Sequence, residues 1–92
     1  MTAYRIELAR AAVRQLSERL PEAVAPGCLE FVFGVLAKEP HRVGAPLQKP
    51  FEGQWRARRG EYRVRYRIDE DQHTVIVLDV VGRADAYRPG RA

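Results

Sequence analysis

The segment Glu61-Tyr62-Arg63-Val64-Arg65-Tyr66-Arg67-Ile68 alternates strictly between charged and apolar or aromatic side chains. Successive side chains of a β-strand point to opposite faces, so the pattern predicts a strand with Tyr62, Val64, Tyr66 and Ile68 on one side. Arg63, Arg65 and Arg67 then share the other side. The apolar set has to be covered by the rest of the chain, which leaves the arginines on the open face of a sheet. This strand decides how its neighbours are read.

Just before it, Gln54-Trp55-Arg56-Ala57-Arg58 alternates in the same way, and Arg59-Gly60 reads as a two-residue hairpin turn. Closing the hairpin there opposes Arg58 with Glu61, Ala57 with Tyr62, Arg56 with Arg63, Trp55 with Val64 and Gln54 with Arg65. Every pair matches inward with inward or outward with outward. The register sets Arg56 against Arg63, a like-charge cross-strand pair that disfavours the sheet by about 0.2–1 kcal/mol. One explanation is a polyanion that neutralises the cluster when the protein works, phosphate backbones being the commonest. The other is a solvated outer face that keeps the sheet soluble, for which mixed signs would serve better.

The flanking sequence supplies the cover. Tyr4-Arg5-Ile6-Glu7-Leu8 alternates as a short strand with Tyr4, Ile6 and Leu8 inward, and from Ala9 the period becomes helical. Ala9, Ala12, Val13, Leu16 and Leu20 form the inward stripe of a first helix, and Pro21 either stops it or opens the next one. A second helical pattern follows, and because Pro26 is tolerated in a first turn but not in an interior, either a kink or a helix beginning at about Ala25 is expected. Its expected stripe is Leu29, Val32, Phe33 and Leu36, and Lys38-Glu39-Pro40 ends it. Residues 41–53, with Gly44, Pro46, Pro50 and Gly53, read as a loop. Thr74 to Val81 is a nearly continuous β-branched run suited to a central strand, joined to the arginine strand by Asp69-Glu70-Asp71-Gln72-His73. The order β-α-α-β-β-β predicts an α+β fold over residues 1–92 as a single domain, with two N-terminal helices on one face of a mainly antiparallel sheet.

Composition narrows the function classes. Ninety-two residues hold one small domain with no room for a deep cofactor cleft. The apolar runs are far too short for a membrane span, and no signal-peptide core follows Met1. A single cysteine, Cys28, excludes an internal disulfide and a Cys-based metal cluster, and reads as a small buried filler. A cytoplasmic protein is expected, with no cofactor, metal or membrane partner. The formal charge is +4, and residues 49–92 hold ten of the 16 cations. Fourteen of the cations are arginine, suited to bidentate phosphate contact, although an Arg-rich genome would give the same composition. His41 and His73 fall in loops and read as ordinary surface histidines, and Trp55 as core. Tyr87, in the polar segment Arg83-Ala84-Asp85-Ala86-Tyr87-Arg88, either packs against the sheet or has a functional role.

Three segments together resemble the RelE/ParE superfamily, the toxins of bacterial type II toxin–antitoxin pairs. They are Glu7-Leu8-Ala9-Arg10-Ala11-Ala12-Val13-Arg14-Gln15-Leu16, the hairpin from Trp55 to Tyr66, and Gly82-Arg83-Ala84-Asp85-Ala86-Tyr87-Arg88. The resemblance implies the compact β-α-α-β-β-β fold and, for its RelE branch, a ribosome-dependent endoribonuclease that cleaves mRNA in the A site. The reaction implied is attack of a ribose 2′-OH on the adjacent phosphate, leaving a 2′,3′-cyclic phosphate and a 5′-OH. Family positions fall on Arg63 and Arg83, which would hold the scissile phosphate, and on Tyr87, which would stack on a base or orient the nucleophile. Arg56 completes the catalytic set, with Arg58, Arg65, Arg67 and Lys49 as RNA-binding residues.

The sequence departs from the pattern where some members carry two lysines, since Gln54 and Arg56 stand there. Arginine stays protonated and is a poor general base, and Glu61 paired with Arg58 would be a weak one, so the acid and base are unassigned. The ParE branch, a non-enzymatic inhibitor of DNA gyrase, is the alternative, together with an RNA- or ribosome-binding translation blocker that does not cut. A cognate antitoxin is the implied protein partner, with mRNA and the ribosome as targets. The basic face and the helix pair are both available to the antitoxin.

Overall fold

The computed structural model describes residues 3–82. Strand β1 (Arg5–Leu8) leads into helix α1 (Arg10–Arg14), which widens into a π-helical turn over Gln15–Arg19. Helix α2 (Ala25–Phe31) widens in the same way over Val32–Leu36. Four strands follow: β2 (Ala45–Pro46), β3 (Trp55–Arg59), β4 (Tyr62–Asp69) and β5 (Thr74–Gly82). The sheet order is β1-β5-β4-β3-β2, with β1 parallel to β5 and the other pairs antiparallel. The expected α+β architecture is present. It gains a two-residue edge strand, Ala45–Pro46, inside the segment read as a loop. No helix among the described residues is long and apolar enough to cross a membrane.

Local chemistry explains the helix ends. Leu20 is extended (φ −75°, ψ 143°), the backbone that the Pro21 ring favours in the residue before it, and the first helix stops there. Pro26 sits in the first turn of α2, where its missing N–H leaves no bond unmade. Strand β1 covers the edge of β5 only as far as Val77, where the Ala9 N–H donates to the Val77 carbonyl. Further along that edge the Val80 N–H donates to Gln15 Oε1 at 2.6 Å. A side chain of the first helix thus continues the ladder that β1 leaves off, and ties helix to sheet.

The core lies between the helices and one face of the sheet, built from Ala12, Leu20, Cys28, Phe31, Val32 and Leu36 against Ala57, Val64, Tyr66, Val75, Val77 and Val80. Two expectations about the helices fail. Val13 is exposed, and α2 buries Cys28, Phe31, Val32 and Leu36 while Leu29 and Phe33 face outward, Phe33 at 56% exposure. The sequence Leu29-Glu30-Phe31-Val32-Phe33-Gly34-Val35-Leu36 is apolar nearly all round, so periodicity alone selects no stripe. Trp55 is partly buried and packs against the core, its ring stacked on Tyr66 at 6.4 Å. Tyr66 itself is fully buried, and its hydroxyl donates to the Pro40 carbonyl at 2.6 Å.

A β-bulge decides what β5 presents on each side. Arg65 pairs with Asp79, but Tyr66 pairs with Val77, so Leu78 is the extra residue. Val75 and Val77 are buried before the bulge and Val80 after it, a switch from odd to even positions. In a regular strand Asp79 would share the buried face of Val77. The bulge turns it to the open face instead.

Candidate nucleic-acid interface

Arg56 and Arg58 of β3 and the three arginines of β4 lie on the open face, as the alternation predicts, but the pairing differs from the expected one. Arg59 pairs with Tyr62, Arg58 with Arg63, Ala57 with Val64, Arg56 with Arg65 and Trp55 with Tyr66. The turn is Gly60-Glu61 rather than Arg59-Gly60, so each β3 residue meets a β4 partner two places further on. An even shift preserves the faces. The observed register stacks the Trp55 ring on Tyr66, where the expected one would oppose it to Val64. It also places Arg59 on the helix side, its guanidinium 4.1 Å from the centre of the Phe31 ring. Arg56 therefore does not face Arg63, and Glu61 lies in the turn rather than opposite Arg58.

The corrected register creates two like-charge pairs instead of one, and they are treated differently. In the Arg56–Arg65 row the next strand supplies Asp79. The Arg65 Nε donates to Asp79 Oδ1 at 3.3 Å, and its Nη2 pairs closely with Oδ2. This two-point clamp fixes the guanidinium and neutralises it. In the Arg58–Arg63 row the next strand supplies Val81, which offers no charge. Among the described residues Arg56, Arg58, Arg63 and Arg67 make no ion pair. Among the described residues, four cations without a direct ion pair thus share the face with one that is held.

The remaining candidate residues are placed as follows. Lys49 is exposed in the β2–β3 loop. Gln54, at one of the two lysine positions, has its side-chain oxygen buried with no hydrogen-bond donor among the described residues. Arg83 and Tyr87 lie outside the described residues; Gly82, which pairs with Tyr62, directly precedes Arg83 in sequence. Sequence reasoning missed Asp79 and Phe51. Asp79 is the one charge inside the β-branched run, a signal whose meaning depends on the bulge. Phe51 is the one aromatic residue of the loop, and Arg65 lies 5.9 Å from its ring centre.

At the opposite end of β4 the two histidines enter a cluster that their sequence spacing does not reveal. His41 Nε2 lies 2.6 Å from Glu70 Oε2, and Tyr4 donates to Glu70 Oε1 at 2.8 Å. That hydrogen bond raises the Tyr4 phenol above its ordinary range, helped by desolvation and the Glu70 charge. His73 stacks on Tyr4 at 3.9 Å, and the His41 ring meets Trp55 edge-on at 5.4 Å. The cluster joins the start of β1, the segment after α2 and the β4–β5 turn. Six residues of strand, about 20 Å, separate Arg63 from Asp69 at that turn, so the carboxylates of the turn lie far from Arg63, while Arg67 shares a pocket with Asp69, Glu70 and Asp71.

With this geometry in hand, comparison with known proteins is informative. A family model described as the ParE toxin of the type II toxin–antitoxin system parDE matches residues 6–87. The toxin RelE of Mycobacterium tuberculosis is 46% identical over 85 residues, covering 92% of this chain and 87% of that protein. The toxin RelG of the same organism is 45% identical over 85 residues, covering 92% and 97%. Among solved structures, a crystal structure of a RelBE toxin–antitoxin complex from M. tuberculosis superposes with a TM-score of 0.86 at 41% identity, covering 89% of this chain and 100% of that one. A sheet with an arginine-lined open face, backed by two helices, is accordingly the scaffold of a toxin, and the chain belongs to the RelE/ParE superfamily of type II toxin–antitoxin systems.

Proposed function

We propose that this toxin is a ribosome-dependent endoribonuclease that cleaves mRNA and so blocks translation. The observation that carries the reading is the Arg58–Arg63 pair, with Arg56 beside it on the same face and no acidic partner for any of the three among the described residues. Such a cluster suits a ligand that brings its own negative charge at closely spaced points, as a ribose–phosphate chain does. Similarity to toxins named RelE and RelG supports the RNA-directed branch.

In the proposed reaction a ribose 2′-oxygen attacks the adjacent phosphorus and the bond from phosphorus to the 5′-oxygen breaks. The 2′-OH proton leaves to a base, a proton is delivered to the departing 5′-oxygen, and the products are a 2′,3′-cyclic phosphate and a 5′-OH. Arg63 and Arg83 hold the scissile phosphate, where their fixed charge stabilises the negative charge gathering on its oxygens. Arg56 adds to this field, and Tyr87 stacks on a base or orients the nucleophile. Arg58, Arg67 and Lys49 follow the backbone, and Arg65 contributes through its clamped position. The requirement for a 2′-OH selects RNA over DNA. A ribosomal target places the action in the cytoplasm, and a relative crystallised with its antitoxin supports a cognate antitoxin as partner.

The test is primer extension on a message translated with purified toxin and ribosomes. New 5′ ends inside codons are expected, and Arg63→Ala and Arg83→Ala should each remove them while leaving the circular dichroism spectrum unchanged. An intact message with inhibited DNA supercoiling would instead establish the second reading, a gyrase-directed toxin. That reading is favoured by the ParE family match and by Gln54 and Arg56 standing in place of lysines.

A further inference from the structure

The β2–β3 loop carries an aromatic ring that the fold does not bury. Phe51 is 46% exposed, in a segment that apart from Leu47 is made of polar, glycine and proline residues. The loop is nonetheless well tied. The Leu47 N–H donates to the Gln54 carbonyl at 2.8 Å, the Phe51 N–H to the Gln48 carbonyl at 2.9 Å, and the Gln54 N–H to the Phe51 carbonyl at 3.1 Å. Both backbone polar groups of Phe51 are thus engaged, which sets where its ring can point. Gly53 turns the loop with φ +87°, and a Cβ there would stand 3.4 Å from Arg67 Nη1, so the loop rests beside the arginine face.

Beneath the ring is the one arginine of the face that is clamped. Asp79 holds Arg65, and the Arg65 guanidinium lies 5.9 Å from the Phe51 ring centre. On the same face of β4, Arg63 and Arg67 stand two residues to either side of Arg65, about 7 Å along the strand in each direction. A half-exposed aromatic ring therefore lies against Arg65, whose neighbours along the same face, Arg63 and Arg67, make no ion pair among the described residues. A backbone-tracking groove of cations combined with an aromatic platform is how proteins hold single-stranded nucleic acid.

We propose that Phe51 is a base-stacking platform, on which an unpaired nucleobase of single-stranded RNA lies while Arg63 and Arg67 hold the flanking phosphates. This rests on the RNA reading of the arginine face and adds to it a residue that positions the strand by its base. Asp79 and Arg65 act through Phe51, as positioning residues.

The test uses the full-length chain and a dye-labelled, non-cleavable 2′-O-methyl RNA heptamer, with fluorescence anisotropy as readout. A second heptamer has the same sugar–phosphate chain without bases. Phe51→Leu should weaken binding of the intact heptamer by about 5- to 150-fold, the range of one lost base–aromatic stack. Phe51→Trp should keep the wild-type affinity, and on the abasic heptamer wild type and Phe51→Leu should bind alike. Undiminished binding by Phe51→Leu, equal weakening on both heptamers, or failure of Phe51→Trp to retain affinity would each overturn the platform. If Arg63→Ala loses binding while Phe51→Leu does not, the platform falls and the RNA reading stands. If the wild-type chain binds neither heptamer, the platform falls, while the RNA reading is decided separately by primer extension with ribosomes present.

Discussion

Arg58 and Arg63 stand directly opposite each other on the open face of the sheet, and neither has an acidic partner among the described residues. A pair of like charges in this position opposes folding by about 0.2–1 kcal/mol. Replacing Arg63 with glutamine removes the repulsion and keeps the stem that packs on the strand. We expect Arg63→Gln to unfold at a urea midpoint equal to or higher than the wild type while losing RNA cleavage. Raising salt should stabilise the wild type more than the variant, because only the wild type has this repulsion to screen. A variant less stable than wild type at every salt concentration would mean that Arg63 supports the fold rather than the ligand.

The adjacent row makes the opposite prediction. Asp79 and Arg65 are partly buried and joined at two points, so Asp79→Asn leaves a cation with a weakened partner. A loss of about 1–3 kcal/mol in urea unfolding is expected, the usual range for hydrogen bonds to a charged group. The variant also adds one uncompensated positive charge to the face. Its affinity for single-stranded RNA should become more salt-dependent, the slope of log K against log salt steepening by about 0.7 for one further phosphate neutralised. An unchanged slope would mean that Arg65 stays unavailable even when its clamp is weakened.

These two rows also show how far the sequence could be read. The alternation in Tyr62 to Ile68 placed the arginines on the open face, and that assignment survives a hairpin turn misplaced by one residue, because the resulting shift in pairing is even. The partners within the face were not legible. They depend on Trp55 stacking on Tyr66 and Arg59 lying over Phe31, contacts between distant segments that no local pattern encodes. Asp79 was hidden by the bulge at Leu78, which reverses the facing of the strand without any glycine to mark it. On α2 an almost wholly apolar surface left the buried stripe to be chosen by the sheet it packs on. The roles carried over to Arg83 and Tyr87 concern residues beyond those described.

Gly44 and Tyr66 supply a packing test of the site's support. A Cβ on Gly44 would stand 2.8 Å from the Arg56 carbonyl and closer still to the Tyr66 hydroxyl. Gly44→Ala must therefore push either the tyrosine or the β3 backbone that carries Arg56, at a cost of about 1–3 kcal/mol as for other overpacked interiors. Tyr66→Phe loses the bond to the Pro40 carbonyl and should cost about 1–2 kcal/mol. In the double variant the hydroxyl contact is absent, so the two losses should sum to more than the measured total. Strict additivity in urea unfolding would show that Gly44 is constrained by the Arg56 backbone alone.

Burial also gives the fold a defined alkaline limit. The Cys28 thiol is pushed up to about 11 from an ordinary 9.0, and the Tyr66 phenol to about 12 from 10.0, in both cases because desolvation penalises the anion. Above pH 9 the unfolded chain begins to release the thiol proton, and above pH 10 the phenol proton, while the folded chain retains both. The folded state then binds more protons than the unfolded one, so stability falls as pH rises. The contribution is fully present below pH 9 and declines through the interval up to about 11 for Cys28 and about 12 for Tyr66. Urea midpoints measured from pH 7 to pH 11 should be flat at first and then fall, and Tyr66→Phe should flatten the part of the decline above pH 10. At pH 8 the thiol should react with a disulfide reagent only as fast as the chain unfolds, because Cys28 is buried and protonated. Stoichiometric modification of the native protein at that pH, with its urea midpoint unchanged, would contradict the packing of α2 against the sheet.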